Sequence, residues 1–279
     1  MRERHVAVGV DGSPVSTRAL DRAADEAARR ACALRVVYAV PDRDEAPPIL
    51  NYAARRVAER HPGLRVETEA VEGGVVRALA KAGESAGLVV VGHRDLSGPA
   101  GLLLGSVSLR LAAITRVPLL VVRGDRAADE GGDVLLGLGD TAGQGAAVHA
   151  FREAEHRATR LRVLRVLRPE CRHHDVPSGT PAASLEGSPG REGPARRDPA
   201  PTSSPSSGVA LARELYPAVQ TDIRTVRTAL SRALPRATSE AAVVIVGTRR
   251  HVGPVPRPGR LVRALLHHSH CPVLVVPSV

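Results

Sequence analysis

AGLVVVGHRDLSGPAGLLLGSVSLRLAAITRVPLLVVRG, residues 86–124, returns at the end of the chain as AAVVIVGTRRHVGPVPRPGRLVRALLHHSHCPVLVVPSV, residues 241–279. Each copy opens with an apolar run ending in glycine and closes with a Pro-led apolar run. That is how a buried parallel strand, a glycine-containing turn, a helix and a return strand read. The repeat extends outward in the same order. HVAVGVDGS (5–13) parallels DVLLGLGDTAG (133–143), which sets Asp11 opposite Asp140 at the end of an apolar strand, and LRVVYAV (34–40) parallels LRVLRVL (161–167). Strand one, strand two and the closing unit therefore recur as a domain-sized repeat.

Between Asp140 and Pro272 the second copy is 25 residues longer than the first is between Asp11 and Pro118. The surplus falls at about 172–208, where Pro177 to Gly208 is rich in Pro, Gly and Ser and nearly devoid of large apolar side chains. Such a segment cannot bury enough surface to offset its ordering entropy, so it is expected to be a disordered insertion within the second domain. The expected domains are 1–124 and 133–279, joined by a charged, Gly-containing linker at 125–132.

A length of 279 residues suits two domains. Aromatic residues are only 1% of the chain, so the cores must be Val, Leu and Ala, as in strands covered on both faces by helices. The net charge of +10 is carried largely by scattered Arg without interleaved aromatics, which argues against nucleic acid as a partner. Cys32, Cys171 and Cys271 are odd in number and share no CxxC spacing, as expected of reduced thiols in a cytoplasmic protein. MRERHVAVGV runs directly into a strand, and no span of about 18 apolar residues occurs, so neither secretion nor a membrane partner is expected.

In the first domain, strands are expected at 5–10, 34–40, 64–70, 88–92 and 118–123; the third, LRVETEA, alternates like an edge strand. Pro14 after Asp11-Gly12-Ser13 marks the start of helix one, Pro62 and Gly63 stop helix two, and Gly87 ends helix three. Strict β–α alternation implies a parallel sheet with right-handed crossovers. Ligands of such sheets bind at the carboxyl ends of the strands near the switch point, where loops after Val10, Val40 and Gly92 would converge.

The loop beginning Gly92-His93-Arg94-Asp95 reaches Gly105-Ser106 at the start of a helix. Free backbone N–H groups and a Ser hydroxyl at that point suit an anion, and glycine lets the backbone approach it. No Lys follows the last glycine, so this is not a Walker A loop. Read by itself, the segment is equally a glycine-rich turn with Ser106 near a helix start.

Taken together, these motifs resemble the universal stress protein family in its tandem two-domain form. The family signature is Gly, two residues, Gly, nine residues, Gly, then Ser or Thr, and the first domain matches it at Gly92, Gly105 and Ser106. The resemblance covers both halves except the insertion. It implies an α/β fold of two doubly wound domains, each a five-stranded parallel sheet of order 3-2-1-4-5 with helices on both faces. It also implies ATP contacts at Asp11 on the nucleoside and metal side, at the Ala39 backbone near the base, and at Gly92, Gly105 and Ser106 around the phosphates.

Asp95 stands where the signature has its second glycine, adding a like charge beside a polyphosphate, which Mg²⁺ would offset. The expectation is weakened, Mg²⁺-dependent ATP binding by a stress-response regulator that is not an enzyme. The alternatives are a ligand-free interaction module and a slow ATP hydrolase, for which no residue to activate water can be named.

The second domain is degenerate. Gly247-Thr248-Arg249-Arg250 has Arg at the second glycine point, the interval to Gly259 is one residue shorter, Arg260 replaces the Ser, and three prolines in the loop supply no N–H. An alternative is that Arg249, Arg250 and Arg260 grip an anion by their side chains. His267, His268, His270 and Cys271 straddle a helix end and a strand start, so they are not expected to bind metal. Asp25-Glu26 and Asp129-Glu130 read as solvated faces, and Ser13, Ser97 and Ser106 lack a His-plus-acid partner. The fifth strands, VPLLVVRG and CPVLVVPS, are apolar edges that would be covered by pairing antiparallel with each other, an intramolecular pseudo-dimer. Two chains could further associate as a homodimer.

Overall fold

The computed structural model describes residues 5–93, 106–123, 131–139, 144–166, 207–248 and 257–278. The insertion up to 206, the linker to 130, and Asp95, Gly105, Asp140, Cys171, Arg249 and Arg250 lie outside them. The first half runs β1 (Val6–Val10), α1 (Pro14–Arg29), β2 (Leu34–Val40), a 3-10 turn (Arg43–Glu45), α2 (Pro47–Arg60), β3 (Val66–Glu72), α3 (Val75–Gly83), β4 (Leu88–Gly92), α4 (Ser106–Ile114) and β5 (Leu119–Val122). The second runs β6 (Asp133–Leu138), α5 (Gln144–His156), β7 (Leu161–Val166), α6 (Ser207–Leu215), β8 (Thr221–Val226), α7 (Leu230–Ala237), β9 (Ala241–Thr248), α8 (Arg260–His268) and β10 (Val273–Pro277).

The ten strands form one sheet of order β3-β2-β1-β4-β5-β10-β9-β6-β7-β8, so each half has the expected order 3-2-1-4-5. All neighbours are parallel except β5 and β10, which pair antiparallel with Leu120 opposite Leu274. The apolar edges are therefore covered by one another, as their composition requires. The outer edges, β3 and β8, carry Glu67, Glu69, Asp222 and Arg224, charges that discourage further pairing.

Side chains alternate between two cores. Val6, Val8, Leu34, Val36, Leu136 and Phe151 lie under α1, α2, α5 and α6; Ala7, Leu79, Leu111, Leu234, Leu265 and Val275 lie under α3, α4, α7 and α8. Both cores draw on both halves. Cys32 is half-buried and Cys271 buried. Among the described residues no helix is long and apolar enough to cross a membrane. Two element ends differ from expectation. β3 lies two residues later than LRVETEA, and α3 closes at Gly83 rather than Gly87, whose N–H instead donates to the His5 carbonyl.

The expected solvated acidic face at Asp25-Glu26 is corrected by the packing of α1 on α5. Asp25 pairs with His61 at 3.0 Å, and Glu26 is only 2% exposed. The Glu26 carboxylate accepts from Arg29 at 2.7 Å and from Arg30 at 2.9 and 3.2 Å, with Arg22 at 3.3 Å and Arg157 at 3.6 Å. Arg157 donates to Glu153 at 2.7 Å, and Arg30 reaches Glu153 at 3.7 Å. Glu26 and Arg30 end α1 in EAARRA (26–31), and Glu153 and Arg157 end α5 in EAEHRA (153–158). The alanines closing the two segments, Ala31 and Ala158, share a φ near +50° (49° and 48°). The contacts are thus reciprocal, Arg30 to Glu153 and Arg157 to Glu26, as a two-fold interface demands.

The copies differ in the cations that surround the carboxylate. Arg22, beside Glu26, corresponds to His149, whose imidazole is pushed down to about 4 by burial and then by Arg152 and Arg30. Arg29 likewise corresponds to His156, so Glu153 lacks two of the cations that face Glu26. Burial and then the Glu26 charge raise its carboxyl above the usual range, against the pull of Arg22, Arg30 and Arg29. Burial also works against ionised Glu26, but Arg22, Arg29 and Arg30 outweigh it and hold that carboxyl low.

Candidate functional site

The switch point of the first half lies between β1 and β4, which leave the sheet beside each other and connect in opposite directions. At its mouth the chain leaves β1 at Val10 and turns at Gly12, whose φ of +75° favours glycine. Exposed Asp11 is held by this turn: its Oδ1 accepts from the Ser13 N–H at 3.0 Å and from the Ser13 hydroxyl. Ser13 caps α1, accepting from the Ser16 N–H at 3.2 Å, and Pro14 takes the first helical position. The Ser16 hydroxyl accepts from the Asp11 N–H at 3.2 Å and donates to the Ser13 carbonyl at 2.9 Å. The result is a preorganised carboxylate that can accept from a hydroxyl or hold a cation.

β2 overhangs this turn. Its register with β1 ends at Tyr38 opposite Val10, so Ala39 and Val40 project beyond the last β1 residue. Ala39 is half-buried and pairs with Val71, while the Val40 carbonyl accepts from the Gly73 N–H at 3.3 Å.

On the other side of Asp11, β4 ends at Gly92. A Cβ there would stand 2.6 Å from Cγ1 of Val15 and 2.8 Å from its carbonyl oxygen, so the first turn of α1 requires this glycine. Ser106 is the first residue of α4. Asp11, Ala39 and Gly92 are thus brought to one edge of the sheet, and Ser106 opens the helix that follows β4. Gly105 and Asp95 lie outside the described residues.

His93, which the sequence places within the loop motif, turns away from this edge into the seam between the halves. It is buried, its Nδ1 lies 2.7 Å from the Ser108 hydroxyl, and its N–H donates to Val122 at 3.0 Å. Its ring meets His267 of α8 edge-on at 6.3 Å. Ser108 escapes sequence reasoning because nothing in SVSLRLAAI distinguishes it from a helical serine facing water.

In the second half, β9 ends at Thr248, which is buried, and α8 begins at exposed Arg260 after Gly259 without a side-chain cap. His267 and His268 are exposed, the His270 N–H donates to Thr238 at 2.9 Å, and Cys271 is buried, so the four diverge. Among the described residues no group of three or more His, Cys, Asp or Glu could hold a metal ion.

The model of the universal stress protein family matches residues 3–50, 49–123 and 132–277. A universal stress protein of Mycobacterium tuberculosis is 39% identical over 132 residues, 42% of this chain and 45% of that relative. Another from the same organism is 30% identical over 194 residues, 57% of this chain and 61% of its own length. The matched region is thus about half the length of these curated relatives. Among solved structures, a universal stress protein from Archaeoglobus fulgidus shares the fold at 16% identity, with a TM-score of 0.70, over 98% of this chain and 96% of that one. A protein of Pseudomonas aeruginosa does so at 18% identity and a TM-score of 0.65, over 99% and 93%.

Proposed function

The chain belongs to the universal stress protein family, and from that premise we propose that its first half, within a domain at 1–124, binds an adenine nucleotide as a regulatory ligand. The observation that carries this reading is the convergence of the Asp11 turn, the β2 overhang and Gly92 at one switch point. Asp11, fixed by Ser13, receives the ribose hydroxyls or the metal. The backbone at Ala39 lies against the base. Gly92, Gly105 and Ser106 border the phosphates, Gly105 by letting the backbone come close and Ser106 by standing at a helix start.

The ligand is ATP with Mg²⁺. Asp95 sets a negative charge beside the polyphosphate, so the ion is needed to offset the repulsion and affinity is weakened. The domain at 133–279 is a partner for the first, its own loop having lost the second glycine and the serine of the motif. The protein acts in the cytoplasm as a binding protein and not as a catalyst.

One observation favours a second reading, a ligand-free interaction module. Gly92 is required by Val15 packing alone, so that glycine does not by itself call for a nucleotide. Calorimetric titration of ATP with Mg²⁺ into the full chain and into Gly105→Glu separates the two. Saturable binding abolished by Gly105→Glu supports the nucleotide reading. Absence of heat at millimolar ATP supports the module. In the first case Asp95→Gly tightens binding and lowers its dependence on Mg²⁺, and turnover assays then test the slow hydrolase.

A further inference from the structure

Outward from the switch point, a pocket of about 410 Å³ opens between the 3-10 turn after β2 and the β3–α3 turn. Arg43, Glu72, Arg77 and Lys81 line it, so three cations face one carboxylate. Glu72 is taken by Arg43, Nε to Oε1 at 3.4 Å. Among the described residues no carboxylate lies within ion-pair reach of Arg77 or Lys81. These two stand four residues apart on α3, a spacing at which like charges repel, and both line the same opening. Between the cationic walls the backbone is bare. At Gly73 and Gly74 a Cβ would meet nothing within 4 Å.

An opening whose cations outnumber its acids, with two of them repelling each other along one helix, is stabilised by a multiply charged anion. Two guanidinium forks and an ammonium match the oxygens of phosphate better than a single carboxylate. We propose that this pocket binds a small phosphate-bearing molecule between Arg43, Arg77 and Lys81. The site is separate from the β4–α4 loop, since β3 is two strands removed from β1 and three from β4. It adjoins the β2 overhang, because Val71 and Glu72 pair with Ala39 and Val40. Phosphate binding here does not depend on the nucleotide reading.

The test titrates inorganic pyrophosphate, at fixed ionic strength, into the full chain, the double variant Arg77→Gln/Lys81→Gln, Arg43→Gln, and Gly105→Glu. All three cationic side chains are exposed, and unchanged melting midpoints verify that the variants fold. The expected result is saturable binding, weakened at least about tenfold in the double variant and also in Arg43→Gln, but retained in Gly105→Glu. No saturable heat up to about 10 mM pyrophosphate overturns the proposal. So does binding that the double variant leaves unchanged, or that Gly105→Glu alone removes, which would assign the phosphate to the nucleotide loop. Because Gly105→Glu reads the nucleotide site separately, failure of one site is distinguishable from failure of the other.

Discussion

Glu26 and Glu153 occupy corresponding places in the two halves, yet replacing each by Gln should have unequal consequences. Glu26 is the carboxylate on which Arg22, Arg29, Arg30 and Arg157 converge, and Arg22 is 3% exposed, so it cannot turn to water. Glu26→Gln keeps the volume but leaves the arginines facing one another and an amide N–H₂ pointing at donors. Breaking a buried ion pair by removing one partner costs about 3–5 kcal/mol. Arg29 and Arg30 are roughly a quarter exposed and can rehydrate, which places the expected cost near the lower end, about 3 kcal/mol.

Glu153 is different. Burial and the Glu26 charge raise its carboxyl and work against its ionised form, so an isosteric neutral side chain gives up less there than at Glu26. In calorimetric melts of the full chain at pH 7, Glu26→Gln should lower the midpoint on the order of 10 °C. Glu153→Gln should lower it by a smaller amount. Equal effects, or a larger loss for Glu153→Gln, would refute the view that the shared arginines hold one carboxylate ionised at the expense of the other.

Three further outcomes follow from the same structure. His149 has its imidazole depressed to about 4 from 6.5, so its neutral form contributes stability that is full above pH 6.5 and lost progressively as pH falls toward 4; His149→Gln should flatten the decline, worth up to about 3 kcal/mol, in melts across that window. Gly92→Ala should destabilise by about 1–3 kcal/mol in denaturant titration, since its Cβ would collide with the Val15 backbone, which cannot swing aside. Ser108→Ala removes the 2.7 Å partner of buried His93 and should cost about 1–2 kcal/mol by the same assay, while leaving ATP titration unchanged because His93 faces the seam.

Most of the fold was legible because it rests on features local to the sequence. Val-rich runs mark the strands, Ser13-Pro14 marks the start of α1, and the duplicated closing unit marks the tandem and the apolar strands that must cover each other. Alternation alone does not fix strand ends, so β3 was displaced by two residues: Leu64 belongs to the turn, its N–H donating to His61. The Asp11 turn was equally legible, being built from Asp-Gly-Ser-Pro itself.

The ionic seam was not legible in the same way. Glu and Arg four apart on an amphipathic helix normally read as a solvated pair, and only the packing of a second helix carrying the same EAxxRA ending buries them. The signal was present as a repeat, but its meaning depends on the two-fold relation of the halves. The inward turn of His93 was not legible for the same reason, since the groups that draw it inward belong to α4 and to α8 of the other half. Gly92 shows a different limit. A glycine demanded by packing and one demanded by a ligand are written with the same letter, and the distance to Val15 establishes the first demand without excluding the second.

One helix carries both features. α1 begins at the Ser13 cap that fixes Asp11 and ends in the Glu26-Arg30 clasp on α5, so its 16 residues span about 24 Å from the expected ligand edge to the other half. Val15 in its first turn is in close contact with Gly92, and Ala19, Leu20, Ala23 and Ala27 are buried in the shared core. A displacement of the first turn therefore cannot be absorbed locally, because a close-packed helix moves as a body. The antiparallel β5–β10 pair fixes the halves edge to edge along the sheet, leaving the α1–α5 seam as the charged contact through which such a shift is felt. If the first half binds ATP, Glu26→Gln should change ATP affinity although it lies at the far end of the helix. An affinity identical to that of the unaltered chain would show that α1 holds the halves together without coupling them.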